Sequence, residues 1–379
     1  MLRPVNEAEM ADAVRAATGP LRIRGGGTRL GFGHDVDGTV LETGGLSGIT
    51  LYEPGALTLV AQAGTPLAEV EAVLAAERQR LPFEPARLGG LLGNGDETTI
   101  GGVVATGAAG PRRIQAGGCR DSMIGVRFVD GAGQIVKNGG RVMKNVTGYD
   151  LVKLLAGSHG TLGVLTEVAF KVLPVAETAG TVVLNGLDDA AAVSAMSDAL
   201  GSPFDVSGAA HLPDGRTVVR LEGFAGSVAY RMERMRERLA GYGAVELIAD
   251  QTGVEALWAG IRDVTALADV PGSVWRISVK PSDGPAVRAA LGPDAVSLMD
   301  WGGGLIWAAV PEGRDVRAAL SVPGHATLVR GAAEEKARFG VFQPEPAPLA
   351  RISAGLREKF DPRGILNTGR MGADGRQAA

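Results

Sequence analysis

Three consecutive glycines, Gly25 to Gly27, follow the short β-type run Leu21-Arg22-Ile23-Arg24 and precede Thr28. A strand here must run straight into bare backbone. With no Cβ in the way, a ligand can come close, and successive N–H groups can converge on an anion such as a phosphate. A second glycine-rich stretch occupies 89–110. Within it lies Gly95-Asp96-Glu97-Thr98-Thr99-Ile100-Gly101-Gly102-Val103-Val104-Ala105-Thr106-Gly107. Gly101, Gly102 and Gly107 would let backbone amides reach a diphosphate, and small Ala105 and Thr106 leave room for it. Arg24 to Thr28 and 95–107 together read as a two-part phosphate cradle. The competing reading is a tight turn between buried elements. The chain has neither G-x-G-x-x-G nor G-x-x-x-x-G-K-[ST], so the Rossmann and P-loop fingerprints are absent.

Composition narrows the class. A chain of 379 residues suggests two or three domains, and 45% hydrophobic residues supply a large core. A net charge of −4 leaves no basic footprint for nucleic acid, and 4% aromatics argue against base stacking. The single cysteine, Cys119, rules out an internal disulfide and a four-cysteine iron–sulfur cluster held by this chain alone. No two of His34, His159, His211 and His325 stand at metal-ligand spacing, so no metal site is expected. The N-terminus lacks an apolar signal core, and no run approaches a bilayer span. A cytoplasmic location is expected, with any membrane attachment peripheral.

Periodicity gives the organisation. Residues 7–17 read as a helix, with Asn6 as N-cap and Glu9 at N3. Strands are expected at 21–24 and 58–62. Thr65 is expected to cap a helix with Pro66 at its first position and Leu67, Val70 and Leu74 on its core face. A hairpin over 124–137, a short helix at 149–157 and an alternating strand at 164–172 follow. Segment 89–122 has no clean period. From about 180 to 330, strands and helices interleave as one α+β domain with a sheet covered on one side. A Pro-rich connector at 342–346 leads to a helix at 348–360, with Leu349, Ile352, Leu356 and Phe360 on one side.

The motifs carry a resemblance. Arg24 to Thr28, Thr99 to Gly107, and Gly157-Ser158-His159-Gly160-Thr161-Leu162-Gly163-Val164-Leu165-Thr166-Glu167 resemble the FAD-binding domain of the vanillyl-alcohol-oxidase superfamily. Residues Phe360 to Arg370, with Asp361-Pro362-Arg363-Gly364 and Asn367-Thr368-Gly369-Arg370, resemble its C-terminal flavin-contacting segment. Within that superfamily, the runs 142–151, Trp275 to Ser278, Asp300 to Gly303 and Gly340 to Pro344 resemble the FAD-binding subunits of bacterial glycolate oxidases.

The resemblance implies an α+β protein. A two-subdomain PCMH-type FAD-binding domain would occupy 1–173, a cap with an antiparallel sheet 174–341, and a C-terminal segment, 342–379, would return to the first domain. It implies non-covalent FAD, since no histidine stands in the glycine loop, where Arg29, Leu30 and Gly31 follow Thr28. Gly25, Gly26, Gly27 and Thr28 would hold the diphosphate. Asp96, Thr98, Thr99, Gly101 and Gly102 would lie along the second face. Gly160, Gly163 and Val164 would line the adenosine end, with Asn367 and Arg370 at the isoalloxazine. A cation there favours the charge the ring gains on reduction.

Catalytic relatives carry a histidine pair in the cap that this chain lacks. The candidates for substrate or catalytic contact are Arg276, Arg370 and Arg262. The leading expectation is an FAD-containing subunit of a complex that oxidises glycolate and D-lactate, passing electrons to an iron–sulfur subunit beside a homologous catalytic flavoprotein. The alternatives are a non-catalytic flavin-holding or electron-relay subunit, and a stand-alone hydroxy-acid dehydrogenase.

Overall fold

The computed structural model describes residues 1–95, 97–140 and 148–372. The first helix, Glu7–Ala16, begins as its capping pattern dictates. The Asn6 side chain accepts from the Glu9 amide at 2.9 Å, and the Glu9 carboxylate accepts from Asn6 Nδ2 and the Val5 amide. Met10 and Val14 on its inner face pack with Leu21, Leu41 and Val164 into a small core. Strand Leu21–Arg24 pairs in parallel with Thr39–Glu42, so the glycine loop leaves the C-terminal end of a parallel pair.

A five-stranded antiparallel sheet forms next, in the spatial order Ile49–Glu53, Thr58–Gln62, Val164–Lys171, Met123–Val129 and Ile135–Gly139. The strand at 164–171 is central and mostly buried on both faces, although its alternation suggested one wet face. Helices Leu67–Ala76, Ile100–Thr106 and Leu151–Leu155 pack on one side of this sheet. The Thr65 cap is not made. Pro66 itself is the N-cap of helix Leu67–Ala76, and Thr65 Oγ1 instead donates to the Gln62 carbonyl at 2.7 Å. Segment 89–122, which has no period, folds as short helices between turns, including Gly89–Leu92 and Ile100–Thr106.

Residues 178–330 supply all eight strands of a second, wholly antiparallel sheet. Its order is Val245–Ile248, Thr178–Asn185, Arg216–Gly223, Val206–His211, Val296–Asp300, Leu305–Val310, Ser273–Val279 and Gly324–Arg330. Helices Asp189–Leu200, Ala225–Leu239 and Gly284–Leu291 cover one face. The expectation of a bare second face is corrected. Helix Gln251–Asp263 lies on it, and Phe32, Leu88 and Leu91 from the N-terminal part pack there too. Strand Val206–His211 escapes a periodicity search because every residue in it is buried and most are small. Smallness is required, since a Cβ on Gly208 would stand 2.7 Å from the Trp258 ring of that helix.

Helix Ala347–Phe360 uses only half of its apolar stripe. Leu356 and Phe360 pack on the five-stranded core, while Leu349 and Ile352 are exposed. Beyond it the chain rejoins the first core. The Leu21 amide donates to the Ile365 carbonyl at 2.7 Å and the Asn367 amide to the Leu21 carbonyl at 3.0 Å. Arg363 donates to the carbonyls of Val14, Arg15, Ala17 and Gly131.

Candidate functional site

A cleft opens between the glycine loop, helix Ile100–Thr106, the 159–165 segment and the C-terminal return. Fourteen of the residues singled out above line it: Arg24, Gly25, Gly26, Gly27, Thr28, Thr99, Gly101, Gly102, Ala105, Thr106, Gly160, Gly163, Asn367 and Arg370. Asp96 lies outside the described residues, as does 142–147 of the 142–151 motif.

The two halves of the cradle have different tasks. The amides of Gly25, Gly26 and Gly27 donate to no acceptor among the described residues, so they are available to an anion. The amides expected at 101, 102 and 107 are already spent. Gly101 donates to Ala63 O at 2.8 Å, Gly102 to the N-cap Oγ1 of Thr99 at 3.2 Å, and Gly107 to Val103 O at 2.9 Å. The second half is therefore a backing for the first. A Cβ on Gly26 would stand 1.5 Å from the Glu97 carbonyl oxygen, and one on Gly25 2.3 Å from Thr99 Oγ1. Thr98 does not line the cleft, because its hydroxyl bonds that of Thr28 at 3.0 Å and ties the halves together. Gly107 stands outside too, as the left-handed C-cap of the helix.

Val164 also faces away. Successive side chains of a strand alternate, so Gly163 and Leu165 meet the cleft while Val164 enters the first core. Asn367, at φ 43°, joins two walls. Its Oδ1 accepts from the Ile23 amide at 2.8 Å, and its Nδ2 donates to the His159 carbonyl at 2.8 Å.

Arg370 reaches the cleft, but its fork is engaged. It donates to the carbonyls of His34 at 2.9 Å, Arg29 at 2.9 Å and Phe32 at 3.3 Å, and so pins the 29–34 loop. Burial lowers its pKa to about 10.

Arg29 and His159 line the cleft without having been singled out as cofactor contacts. His159 stacks on Phe32 with ring centres 5.8 Å apart and meets Phe342 edge-on at 5.1 Å. Burial, with Arg370 and Arg29 nearby, depresses its pKa to about 3, so it is neutral at physiological pH. An unfolded histidine titrates near 6.5, so the stability tied to neutral His159 is complete above that pH. It is lost as pH falls toward 3, because the unfolded chain binds the extra proton first. In H159Q, denaturant midpoints measured between pH 7 and 4 are expected to depend less on pH than in the wild type. An unchanged slope would show that His159 is not held neutral.

Arg276 lies elsewhere, on strand Ser273–Val279. Its guanidinium stands 5.3 Å from the Trp301 ring and 6.0 Å from Trp307, and Arg113 covers Trp301 at 4.9 Å. Burial pushes the neighbouring Asp300 carboxyl up to about 7. Arg262 makes a bidentate pair with the adjacent Asp263. Neither Arg276 nor Arg262 lines the cleft. Among the described residues no group of three or more His, Cys, Asp or Glu could hold a metal ion, and no helix is long and apolar enough to cross a membrane.

A charged seam joins the N-terminal part to the large sheet. Arg220 makes a bidentate pair with Glu84 at 2.8 and 3.1 Å, and Arg112 one with Glu222 at 2.6 and 3.1 Å. Burial alone would raise the Glu222 pKa, but Arg220 and Arg112 outweigh it and hold the group near 2.

Free glycine amides in a cleft with buried cations suit a dinucleotide with a diphosphate, and the fold agrees. A family model described as "FAD binding domain" matches residues 1–139. Similar solved structures include 4-ethylphenol oxidase from Gulosibacter chungangensis, with a TM-score of 0.70 at 14% identity over 99% of this chain and 89% of that one. The protein is an FAD-dependent oxidoreductase of the vanillyl-alcohol-oxidase fold.

Full-length similarity is more specific. The chain is 38% identical to the glycolate oxidase subunit GlcE of Escherichia coli, over 94% of its own length and 93% of that protein's. It belongs to the GlcE family of glycolate oxidase subunits. It is also 34% identical to a D-lactate dehydrogenase of Archaeoglobus fulgidus, over 46% of this chain and 38% of that protein.

Proposed function

We propose that the chain is the FAD-holding subunit of a complex that oxidises glycolate, and D-lactate as a second substrate, to the 2-oxo acid. The carrying observation is the cleft: amides at Gly25 to Gly27 that donate to no acceptor among the described residues, for the diphosphate, and a buried cationic end beside Arg29 and Arg370. Bound FAD accepts the electron pair released when the CH–OH carbon becomes a carbonyl. The chain's residues bind it non-covalently, exclude water and fix its position. In this reading 1–173 holds the FAD, 174–341 is a cap over it, and the C-terminal segment 342–379 returns to the FAD domain. With one cysteine, Cys119, the chain needs a partner to take the electrons onward singly. That partner is an iron–sulfur subunit, alongside a homologous flavoprotein, on the cytoplasmic side of the membrane.

One observation favours a relay role over catalysis in this chain. The histidine in the cleft, His159, has a pKa near 3 and is a poor base for a substrate hydroxyl. Substrate oxidation then takes place on the homologous subunit.

Co-expression tests the assembly. A tagged chain produced with a homologous flavoprotein and a cysteine-rich subunit is expected to co-purify with both, carrying iron and more flavin than the chain alone. Elution of the tagged chain by itself would overturn the subunit reading.

A further inference from the structure

Arg29 is a buried cation of the cleft whose chemistry is left open. Its Nη1 donates to Thr106 Oγ1 at 2.8 Å, and its Nη2 donates to the Ala86 carbonyl. Its Nε is buried with no partner among the described residues, and Arg29 makes no salt bridge there, although Asp263 attracts it at longer range. Burying an uncompensated charge costs several kcal/mol, so such a group persists where something repays it. Burial lowers its pKa only to about 10, which keeps it charged at neutral pH.

Its place in the cleft says which part of the ligand repays it. Ala86, its acceptor, is followed by Arg87, whose amide donates to Asp263 Oδ1 at 2.8 Å, at the end of helix Gln251–Asp263. Phe32, three residues on, packs against the large sheet with Trp307 and Val329. Arg29 therefore marks the end of the cleft that abuts the large sheet, at the C-terminal Thr106 of helix Ile100–Thr106, whereas Gly25 sits against Thr99 at the N-cap of that helix. A cofactor with its diphosphate over Gly25 to Gly27 puts its reacting ring at that end, where substrate or a partner can reach it.

We infer that Arg29 is the cation that faces the flavin ring and stabilises the negative charge the ring gains on reduction, with Arg370 as the positioning residue that holds it there. Arg370 spends its donors on the backbone carbonyls of Arg29, Phe32 and His34, so it fixes the loop that carries Arg29. This modifies the sequence expectation that Arg370 itself supplies the charge. It rests on FAD occupying this cleft.

The test is the midpoint potential of FAD-loaded protein, with FAD content measured on the same samples. R29Q is expected to lower the potential by at least about 30 mV, a tenfold shift of a two-electron equilibrium. R29K keeps the charge, and its potential is expected to stay closer to that of the wild type than to that of R29Q. R370K is expected to bind FAD more weakly while the flavin that remains keeps its potential to well within about tenfold. An unchanged potential in FAD-loaded R29Q overturns the inference. If R29Q sheds its FAD, R29H decides, since its charge can be switched by pH: its potential is expected to fall by at least about tenfold more than that of the wild type as the histidine deprotonates, and a potential that runs parallel to the wild type over the same pH range overturns the inference. Failure of the cleft assignment looks different: wild-type protein would bind FAD, and G26V would bind it equally well.

Discussion

Gly26→Val is expected to abolish FAD binding while leaving the far sheet folded. A Cβ at this position would stand 1.5 Å from the Glu97 carbonyl oxygen, well inside any tolerable contact. Glu97 cannot retreat freely, since the following Thr98 carbonyl accepts the Leu67 amide at 2.7 Å and Thr98 Oγ1 bonds Thr28. The glycine loop must therefore move, and its converging amides move with it. The check is FAD titration by fluorescence, with circular dichroism to confirm the fold. G90A is the control, because a Cβ on Gly90 meets nothing within 4 Å. Retained FAD affinity in G26V would mean that the cradle lies elsewhere. The damage acts through the backing segment, whereas the sequence alone suggested that the new side chain would displace the diphosphate directly.

The seam between the N-terminal part and the large sheet should fail nearly as sharply. R220M is expected to cost about 3–5 kcal/mol, the usual effect of removing one partner of a buried ion pair. Glu84 and Glu222 would be left enclosed without Arg220, and Glu84 would lose both bonds of its bidentate pair. Adding E84Q to R220M should recover part of that loss, since the stranded charge is removed. Denaturant unfolding measures both. A loss under about 1 kcal/mol, the range of exposed pairs, would show that the seam is solvated. The same seam predicts acid sensitivity. Depressed carboxylate pKa values give stability that is present above about pH 4.5 and lost as pH falls toward the value near 2 at Glu222.

Much of this was legible in the chain, for local reasons. Asn6 and Glu9 announce the first helix because a capping box is read over four residues. The cradle was legible because glycine has one backbone meaning in a strand-to-loop junction. What stayed hidden depends on contacts between distant segments. Nothing near Gly101 reveals that Ala63 takes its amide, and nothing near Val164 tells which face of its strand meets the cleft. Glu84 and Arg220 are 136 positions apart, so their pairing has no sequence period. His159 becomes a cleft wall only when Phe32 and Phe342 close around it. Arg29 follows the glycines as an ordinary loop residue, and only the fold buries it against Thr106 and Ala86. Helix Gln251–Asp263 was missed although Val254, Trp258 and Ile261 share a face, since its glycines weaken the pattern.

Whether this chain holds FAD as part of a larger glycolate-oxidising assembly is tested most directly by dye-linked glycolate turnover, comparing the FAD-loaded chain alone with the complex purified after co-expression. Equal amounts of this chain are assayed in both. Robust turnover by the complex and little or none by the chain alone is expected, with FAD released from the chain by acid precipitation. Turnover by the chain alone at a rate matching the complex would contradict it and identify a self-sufficient dehydrogenase.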